Sequence, residues 1–331
     1  MNAAAAPLAH RPWWPWARRA VVVVFLGCVA ALLLRQSRMI DWSEVLDAIQ
    51  ELPAGTLLAA AALAYCSHAL YSCYDLLGRH LTRHKLRTAT VMGITFISYA
   101  FNLNLGSTVG GIGFRFRLYS RLGIKYDDIT RIVGCSLLTN WVGYLLLAGV
   151  AFMFWPPELP PEWKLDSGGL RIVGAWGLAL AAAYVLFCIW AHERRWFIRG
   201  HRIEPPKARM ALLQLAMSAL NWSLIGGVIW VLLRGRVDYP HVLAVLLISV
   251  MATLIVRVPG GLGVLETVFV ALLGYRVPPG QLIAALLAYR GIYYLLPLLV
   301  AAVAYAVTEF RTHRRRVSLS RTPANRRKCH V

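Results

Sequence analysis

Hydrophobic positions along this chain form long runs without the one-sided stripe of a soluble helix. In the runs at 20–34 and 282–307, apolar side chains occupy every face of a helix, which is typical of a helix surrounded by lipid. The alternation expected of a transmembrane β-strand is missing. The pattern therefore predicts an all-α polytopic membrane protein and excludes a soluble enzyme.

Two of the apolar runs do not suit a simple membrane crossing. A helix over 264–275 covers about 18 Å, against a hydrocarbon core of roughly 30 Å, and both 88–105 and 264–275 adjoin glycine-rich breaks. Broken backbone at membrane depth is tolerated only where protein shields it or it lines a wet cavity. We therefore predict about six full transmembrane helices and two glycine-broken hairpins, with re-entry expected and full crossing left open. The candidate spans are 20–34, 54–77, 88–105, 129–154, 170–191, 208–233, 241–256, 264–275 and 281–307, and the hairpins are 88–128 and 241–276.

The distribution of charge predicts the orientation. The chain of 331 residues is 58% hydrophobic and 15% charged, with a net charge of +20. Most Lys and Arg residues lie in 1–19, 78–87, 192–209 and 311–331, which the positive-inside rule places in the cytoplasm. The prediction is a cytoplasmic segment 1–19, a membrane domain 20–310 and a basic cytoplasmic tail 311–331 without fixed structure. The expected location is a bacterial inner membrane.

The positive charge does not indicate a nucleic-acid partner, because the basic patches alternate with apolar spans and form no known nucleic-acid motif. Such patches suit anionic lipid head groups instead. There is no CxxC pair, HExxH, P-loop or G-x-S-x-G motif, so we expect no metal, no cofactor and no enzymatic activity.

The two hairpins share a pattern. Each has a G-G-aliphatic-G break followed about ten residues later by Leu-Gly-x-basic. The predicted orientation has the first hairpin entered from the cytoplasm and the second from outside. Related segments inserted from opposite faces form an inverted repeat, the architecture of alternating-access transporters. The residues of the breaks are Gly110, Gly111 and Gly113 in the first hairpin, and Pro259, Gly260, Gly261 and Gly263 in the second.

Charged residues inside apolar spans are costly and indicate function by default. Glu266 follows the second break and Arg290 lies in the last long apolar run, so we expect the two to pair. A helix-start acid and a static structural pair are the alternatives. Asp75 is expected at the C-terminal end of span two, where the helix dipole opposes it and Arg79 at i+4 is the candidate partner.

The first hairpin carries three arginines after its break. Arg117 and Arg121 share one helix face, and Arg115 is rotated away from them. Guanidinium groups bind phosphate with two parallel hydrogen bonds, so lipid phosphate is the expected ligand of Arg117, with Arg115 as a candidate helper; interfacial snorkelling is the alternative. Asn102 and Asn104, near the tip of span three, are expected to satisfy broken backbone or to face a cavity.

At these residues the chain resembles the membrane part of the lysyl-phosphatidylglycerol synthase/flippase family. The resemblance covers about 20–310, and it includes Tyr71–Asp75, Tyr99–Gly106, Gly111–Tyr119, Pro259–Glu266 and Arg290–Pro297. It implies that the domain translocates lipids between leaflets, with marked positions at Asp75, Arg117, Glu266 and Arg290.

Two departures from the family pattern matter. Only a short segment rich in Arg and Ser follows Val307, so we expect a stand-alone member that lacks the aminoacyl-transferase domain. Many relatives have an acid shortly after the first break, whereas this chain has Phe114 and Arg115, which favours a more anionic lipid.

The sequence therefore predicts a lipid translocator for an anionic phospholipid or a related lipid. Two alternatives stay open: a non-catalytic accessory protein of envelope or isoprenoid-lipid biosynthesis, and a membrane-embedded lipid-modifying enzyme with Glu266 or Asp75 as general base. Membrane lipids are the expected partners, and a homo-oligomer or a biosynthetic partner protein also stays open.

Overall fold

The architecture comes from a computed structural model. It describes residues 47, 50–160, 163, 166–191, 196–198, 201–203, 206–256 and 261–320. The predicted first span, 20–34, lies outside the described residues, as do Pro259 and Gly260 of the second break.

The regular secondary structure of the described chain is helical apart from one short antiparallel β-hairpin, which confirms the predicted all-α class; re-entry of the two broken segments stays a prediction. Two segments are π-helical, named π1 and π2 below. In chain order the elements are α1 Ala54–Ser72, α2 Tyr74–Thr82, α3 Thr88–Leu105, π1 Ser107–Gly113, α4 Phe114–Arg121, α5 Tyr126–Phe154, α6 Ser167–Ala191, β1 Trp196–Ile198, β2 His201–Ile203, α7 Ala208–Leu232, α8 Tyr239–Val256, α9 Val264–Leu273, α10 Pro279–Tyr289, π2 Arg290–Leu295 and α11 Leu296–Ser320.

Six helical stretches of the described chain are long and apolar enough to cross a membrane. They are Ala54–Thr82, Tyr126–Phe154, Ser167–Ala191, Ala208–Leu232, Tyr239–Val256 and Pro279–Glu309. Five of them match candidate spans predicted to cross the membrane fully. The sixth, α8, is the first arm of the predicted second hairpin. The helix α9 has 10 residues, which agrees with the prediction that this run is too short to cross.

Glycines bring the long helices close together. A Cβ atom at Gly143 in α5 would lie 2.2 Å from the Cβ of Ser218 in α7, and one at Gly149 would lie 2.9 Å from the backbone oxygen of Gly174 in α6. Small residues at such contacts allow close packing between membrane helices. The helices α5, α6 and α7 therefore form a tightly packed bundle.

The first glycine break folds the chain back onto α3. A Cβ atom at Gly110 would lie 2.3 Å from the backbone carbonyl of Phe101, and one at Gly111 would lie 2.8 Å from Oδ1 of Asn102. After the break, the ring of Phe114 stacks on Phe101 with centroids 4.2 Å apart. These glycines are therefore needed for close approach of two backbone segments.

The second break uses a different backbone conformation. Gly261 and Gly263 have φ values of 60° and 79°, in the left-handed region that favours glycine, whereas Gly113 of the first break is helical with φ −58°. The two breaks share a sequence pattern, but one is a π-helical segment and the other contains left-handed glycines.

The last helix continues beyond the predicted membrane domain. The backbone of α11 is helical to Ser320, so the first ten residues of the segment predicted as a tail extend this helix. The sequence offers no glycine or proline between Leu296 and Ser320 other than Pro297 in the first turn, where proline is tolerated. Residues 321–331 lie outside the described residues.

Candidate functional site

Asp75 begins a helix rather than ending one. The span Ala54–Thr82 is interrupted at Cys73, where the Leu76 N–H donates to the Cys73 carbonyl oxygen at 3.1 Å. Asp75 therefore lies in the first turn of α2, where the helix dipole favours a carboxylate. The expectation of an acid at a helix C-terminus is wrong because the sequence carries no sign of this interruption.

Arg115 is the ion-pair partner of Asp75. Its Nε donates to Oδ1 and Oδ2 of Asp75 at 3.2 and 3.0 Å, and the two side chains are 3% and 0% exposed. The expected pairing with Arg79 is wrong, because Arg79 donates instead to the Leu86 carbonyl and to Thr88 Oγ1. Partial burial lowers the pKa of the neighbouring His84 in the α2–α3 loop, and the charge of Arg79 acts in the same direction.

Further hydrogen bonds satisfy this buried pair. Tyr119 donates its hydroxyl to Asp75 Oδ2 at 3.0 Å, and Arg115 also donates to the Gly111 carbonyl and to Ser136 Oγ, each at 3.3 Å. A buried ion pair is tolerated only with such additional bonds. The pair therefore connects α2, the end of π1, α4 and α5, and the Arg115 guanidinium points away from Arg117.

Glu266 and Arg290 form the predicted pair. Arg290 donates to both carboxylate oxygens of Glu266, with Nη2 to Oε2 at 3.1 Å, and Nη2 also donates to the Gly261 carbonyl at 2.8 Å. Glu266 Oε2 accepts the N–H of Gly263 at 2.9 Å, which caps α9. The ion-pair and helix-start interpretations of Glu266 therefore both apply.

Asn104 donates a hydrogen bond to a backbone carbonyl group of the distant π-helical segment π2. Its Nδ2 donates to the Tyr294 carbonyl in π2 at 3.3 Å and to the Ala100 carbonyl at 2.9 Å. Asn102 lies against Gly111 at the first break. The segment π2 therefore contacts the tip of α3 through Tyr294 and contacts Glu266 of α9 through Arg290.

A surface cluster, the arginine clasp, consists of Arg117, Arg121 and Glu309. Arg121 donates to both carboxylate oxygens of Glu309, with Nη2 to Oε1 at 3.0 Å, and Arg117 Nη2 lies 3.4 Å from Oε1. The three side chains are 53%, 35% and 41% exposed. The prediction that Arg117 and Arg121 share a face is therefore confirmed, and that face meets α11.

Glu309 is absent from the residues predicted above. It is the only acid after Glu266 in the chain, and the basic run starting at Arg311 follows it. A single carboxylate beside a run of basic residues is the sequence feature from which Glu309 could have been identified. Its partners lie 188 and 192 residues earlier, so the pairing itself cannot be predicted from local spacing.

A buried polar cluster joins α1, α3, α7 and π2. The Ser67 hydroxyl lies 2.8 Å from Asn221 Oδ1 and 2.7 Å from the Tyr293 hydroxyl, which in turn lies 3.0 Å from the Tyr99 hydroxyl. The His68 ring lies against Tyr99 and Tyr293. Hydroxyl and amide groups from four elements thus converge inside the molecule, and periodicity alone gives no signal for this convergence.

The chain is similar to a family of membrane proteins and to several known proteins. The family described as the lysylphosphatidylglycerol synthase TM region matches residues 19–301. The inner membrane protein YbhN of Escherichia coli is 45% identical over 299 residues, covering 90% of this chain and 94% of that protein. The uncharacterized protein slr0712 of Synechocystis is 31% identical over 287 residues, covering 83% and 86%.

A more distant similarity covers only part of the relative. The phosphatidylglycerol lysyltransferase of Staphylococcus haemolyticus is 22% identical over 291 residues, covering 85% of this chain and 32% of that protein. The chain is thus related to one section of this longer relative.

Proposed function

Because this chain belongs to the family of the lysylphosphatidylglycerol synthase TM region, we propose that it translocates an anionic phospholipid between the leaflets of a bacterial inner membrane. Its multi-pass helical architecture and its similarity to an inner membrane protein support this location.

The observation that carries the proposal is the pair of half-exposed guanidinium groups at the meeting of α4 and α11. Arg117 and Arg121 already bind one two-oxygen anion, the carboxylate of Glu309. A lipid phosphodiester also presents two non-bridging oxygens, which suit the planar donors of arginine. We assign the first contact with the lipid phosphate to Arg117, while the acyl chains stay in the bilayer.

Arg115 takes a different part in this proposal from the one expected from sequence. Its guanidinium is held by Asp75, Gly111 and Ser136, so its contribution is to position α4 rather than to contact lipid. The buried pair holds the helix that carries Arg117 against α2 and α5.

Glu266 and Arg290 form a second charged position, which the lipid head group would reach after Arg117 in the proposed translocation. They are 16% and 11% exposed, and they lie where α9 and π2 begin. Separation of this pair would free a guanidinium for phosphate. Breaking a poorly solvated pair is costly, so its opening would be coupled to the arrival of the lipid or of a proton.

Leaflet exchange in proteoliposomes tests the proposal. Wild type, Arg117→Ala and Glu266→Gln are reconstituted at matched incorporation with fluorescent phosphatidylglycerol, and the accessible label is measured by dithionite quenching. We expect wild type to exchange the lipid, Arg117→Ala to slow exchange at least about tenfold through loss of a charge-assisted phosphate contact, and Glu266→Gln to slow it similarly.

Matched controls are the exposed residues Arg131 and Glu158, changed to Ala and Gln. These variants lose the same charges away from both pairs and should exchange lipid at the wild-type rate. Wild type that exchanges no faster than empty liposomes, with several head groups and with a pH gradient, would overturn the proposal in favour of an accessory role. A change in the mass of the lipid would instead indicate a lipid-modifying enzyme.

A further inference from the structure

The anion that Arg117 and Arg121 bind in this structure is a side chain of the protein itself. Arg117 and Arg121 project from α4, and the carboxylate between them belongs to Glu309 near the end of the last apolar span. Two guanidinium groups face one carboxylate, so the arginine clasp keeps an excess of one positive charge. All three side chains are partly exposed, and an external anion can therefore reach the same donors.

The aromatic ring of Tyr305 lies beside these arginines. The Arg117 guanidinium stands 5.5 Å from the ring centroid of Tyr305, one helical turn before Glu309. The Tyr305 hydroxyl is buried and has no hydrogen-bond partner among the described residues. The rings of Phe114 and Phe101 pack against Tyr305 with centroids 5.3 and 6.3 Å away, so an aromatic cluster adjoins the two arginines.

We propose that Arg117 and Arg121, beside the ring of Tyr305, form a phosphate-binding site in which the Glu309 carboxylate is an internal competitor. This inference rests on the proposed function, since it specifies how the same arginines receive a lipid phosphate. A carboxylate and a phosphodiester group present two oxygens to the same planar donors. Glu309 holds the arginines in a binding-ready arrangement, and an arriving phosphate displaces it.

Displacement also changes how the helices are joined. With Glu309 bound, the arginine clasp links α4 of the first broken segment to α11. Once phosphate replaces the carboxylate, the ion pairs between Glu309 and the two arginines are lost. A phosphodiester carries one negative charge, so the two arginines keep the same excess of one positive charge. Glu309 thus lowers the affinity of the two arginines for external anions. Lipid arrival removes the ion pairs between α4 and α11, while the packing of Phe114 against Tyr305 still joins the two helices.

Equilibrium binding tests the inference independently of transport. The full-length protein in neutral detergent micelles is titrated with dioctanoyl phosphatidylglycerol, with inorganic phosphate, and with dioctanoylglycerol, which has no phosphate. Wild type is compared with Glu309→Gln, with the double variant Arg117→Ala/Arg121→Ala, and with Arg121→Lys. The matched control is Asp127→Asn, which removes an exposed carboxylate from the start of α5.

We expect Glu309→Gln to bind phosphatidylglycerol about two- to fivefold more tightly, the size expected when a partly exposed ion pair no longer competes. The gap between this variant and wild type should shrink at high salt because the competing charges are screened. The double arginine variant should lose binding, and Arg121→Lys should weaken it because the planar fork is lost. The control should match wild type, and dioctanoylglycerol should not bind.

The arms with different ligands identify the source of the phosphate. Inorganic phosphate that binds as tightly as the lipid would overturn assignment of the site to a lipid head group. Unchanged or weaker lipid binding by Glu309→Gln, with the double arginine variant still deficient, would overturn the competitor role.

The inference and the proposed function can fail separately. Tighter binding by Glu309→Gln without leaflet exchange by wild type would refute translocation and leave the competitor role standing. Exchange that depends on Arg117, with no effect of Glu309→Gln on binding, would refute only the competitor role.

Discussion

At the scale of single residues, the buried pair of Asp75 and Arg115 has the largest expected effect on stability. Both side chains are almost fully buried, and the carboxylate accepts hydrogen bonds from Arg115 and Tyr119. Removing one member of such a pair leaves an uncompensated charge, which costs about 3–5 kcal/mol. Asp75 is therefore better explained as a support for α4 than as a lipid contact.

The variant Asp75→Asn should accordingly lower the free energy of unfolding by about 3 kcal/mol, because the Arg115 charge stays buried without its counter-ion. Unfolding by SDS in mixed micelles measures this change, with the exposed Asp127→Asn as control. Combining Asp75→Asn with Arg115→Met should recover part of the loss. Equal losses of stability in Asp75→Asn and in the control Asp127→Asn would contradict a structural role for the pair.

Of the two buried ion pairs described above, the sequence predicts only one. Glu266 and Arg290 could be paired from sequence because each is a charge in an otherwise apolar run and must find a partner. Asp75 has Arg79 one turn away as a plausible local partner, whereas its actual partner lies 40 residues later. That contact depends on how the chain packs after it folds back at π1. The glycine pattern indicates the position of this break but not the packing.

At the scale of elements, glycine marks where helices break but does not determine how. The two breaks share the letters G-G-aliphatic-G, yet one is π-helical and the other contains left-handed glycines. Glycine permits both conformations, and the choice depends on what each segment packs against. The positions of the breaks could therefore be predicted, and their backbone conformations could not.

Two glycines on the same fold-back provide a matched comparison. A methyl group at Gly110 would meet the Phe101 backbone at 2.3 Å, whereas one at Gly93 within α3 has no neighbour within 4 Å. We expect Gly110→Ala to destabilise the protein by about 1–3 kcal/mol and Gly93→Ala to be neutral or stabilising by up to about 1 kcal/mol.

Thermal unfolding of both variants in the same detergent measures this difference. If Gly93→Ala lost as much stability as Gly110→Ala, the close approach of π1 to α3 would not explain the glycine at position 110.

At the scale of the whole molecule, the broken segments are connected through π2. Asn104 of α3 donates to its Tyr294 carbonyl, and Glu266 of α9 binds its first residue, Arg290. The structure therefore links the two regions predicted as an inverted repeat. Their insertion from opposite faces stays a prediction, because it rests on the distribution of charge.

Accessibility of single cysteines tests this topology. In a background without the native cysteines, Arg87 and Lys125 flank the first broken segment, and Arg236 and Arg276 flank the second; all four are exposed. With each changed to Cys, we expect a membrane-impermeant maleimide to label positions 236 and 276 in intact spheroplasts, and 87 and 125 only after lysis. Labelling of the two members of a pair from opposite sides would establish full crossing for that segment.

The π-helical course of residues 290–295 also has a geometric consequence for the end of the chain. A π-helical turn holds one more residue than an α-helical turn, and each residue of an α-helix rotates the following side chain by about 100°. An uninterrupted α-helix of the same length would present another side of α11 to α4, and Glu309 would not face Arg121. The direction in which Glu309 points is therefore determined about five turns earlier, at the residue that binds Glu266.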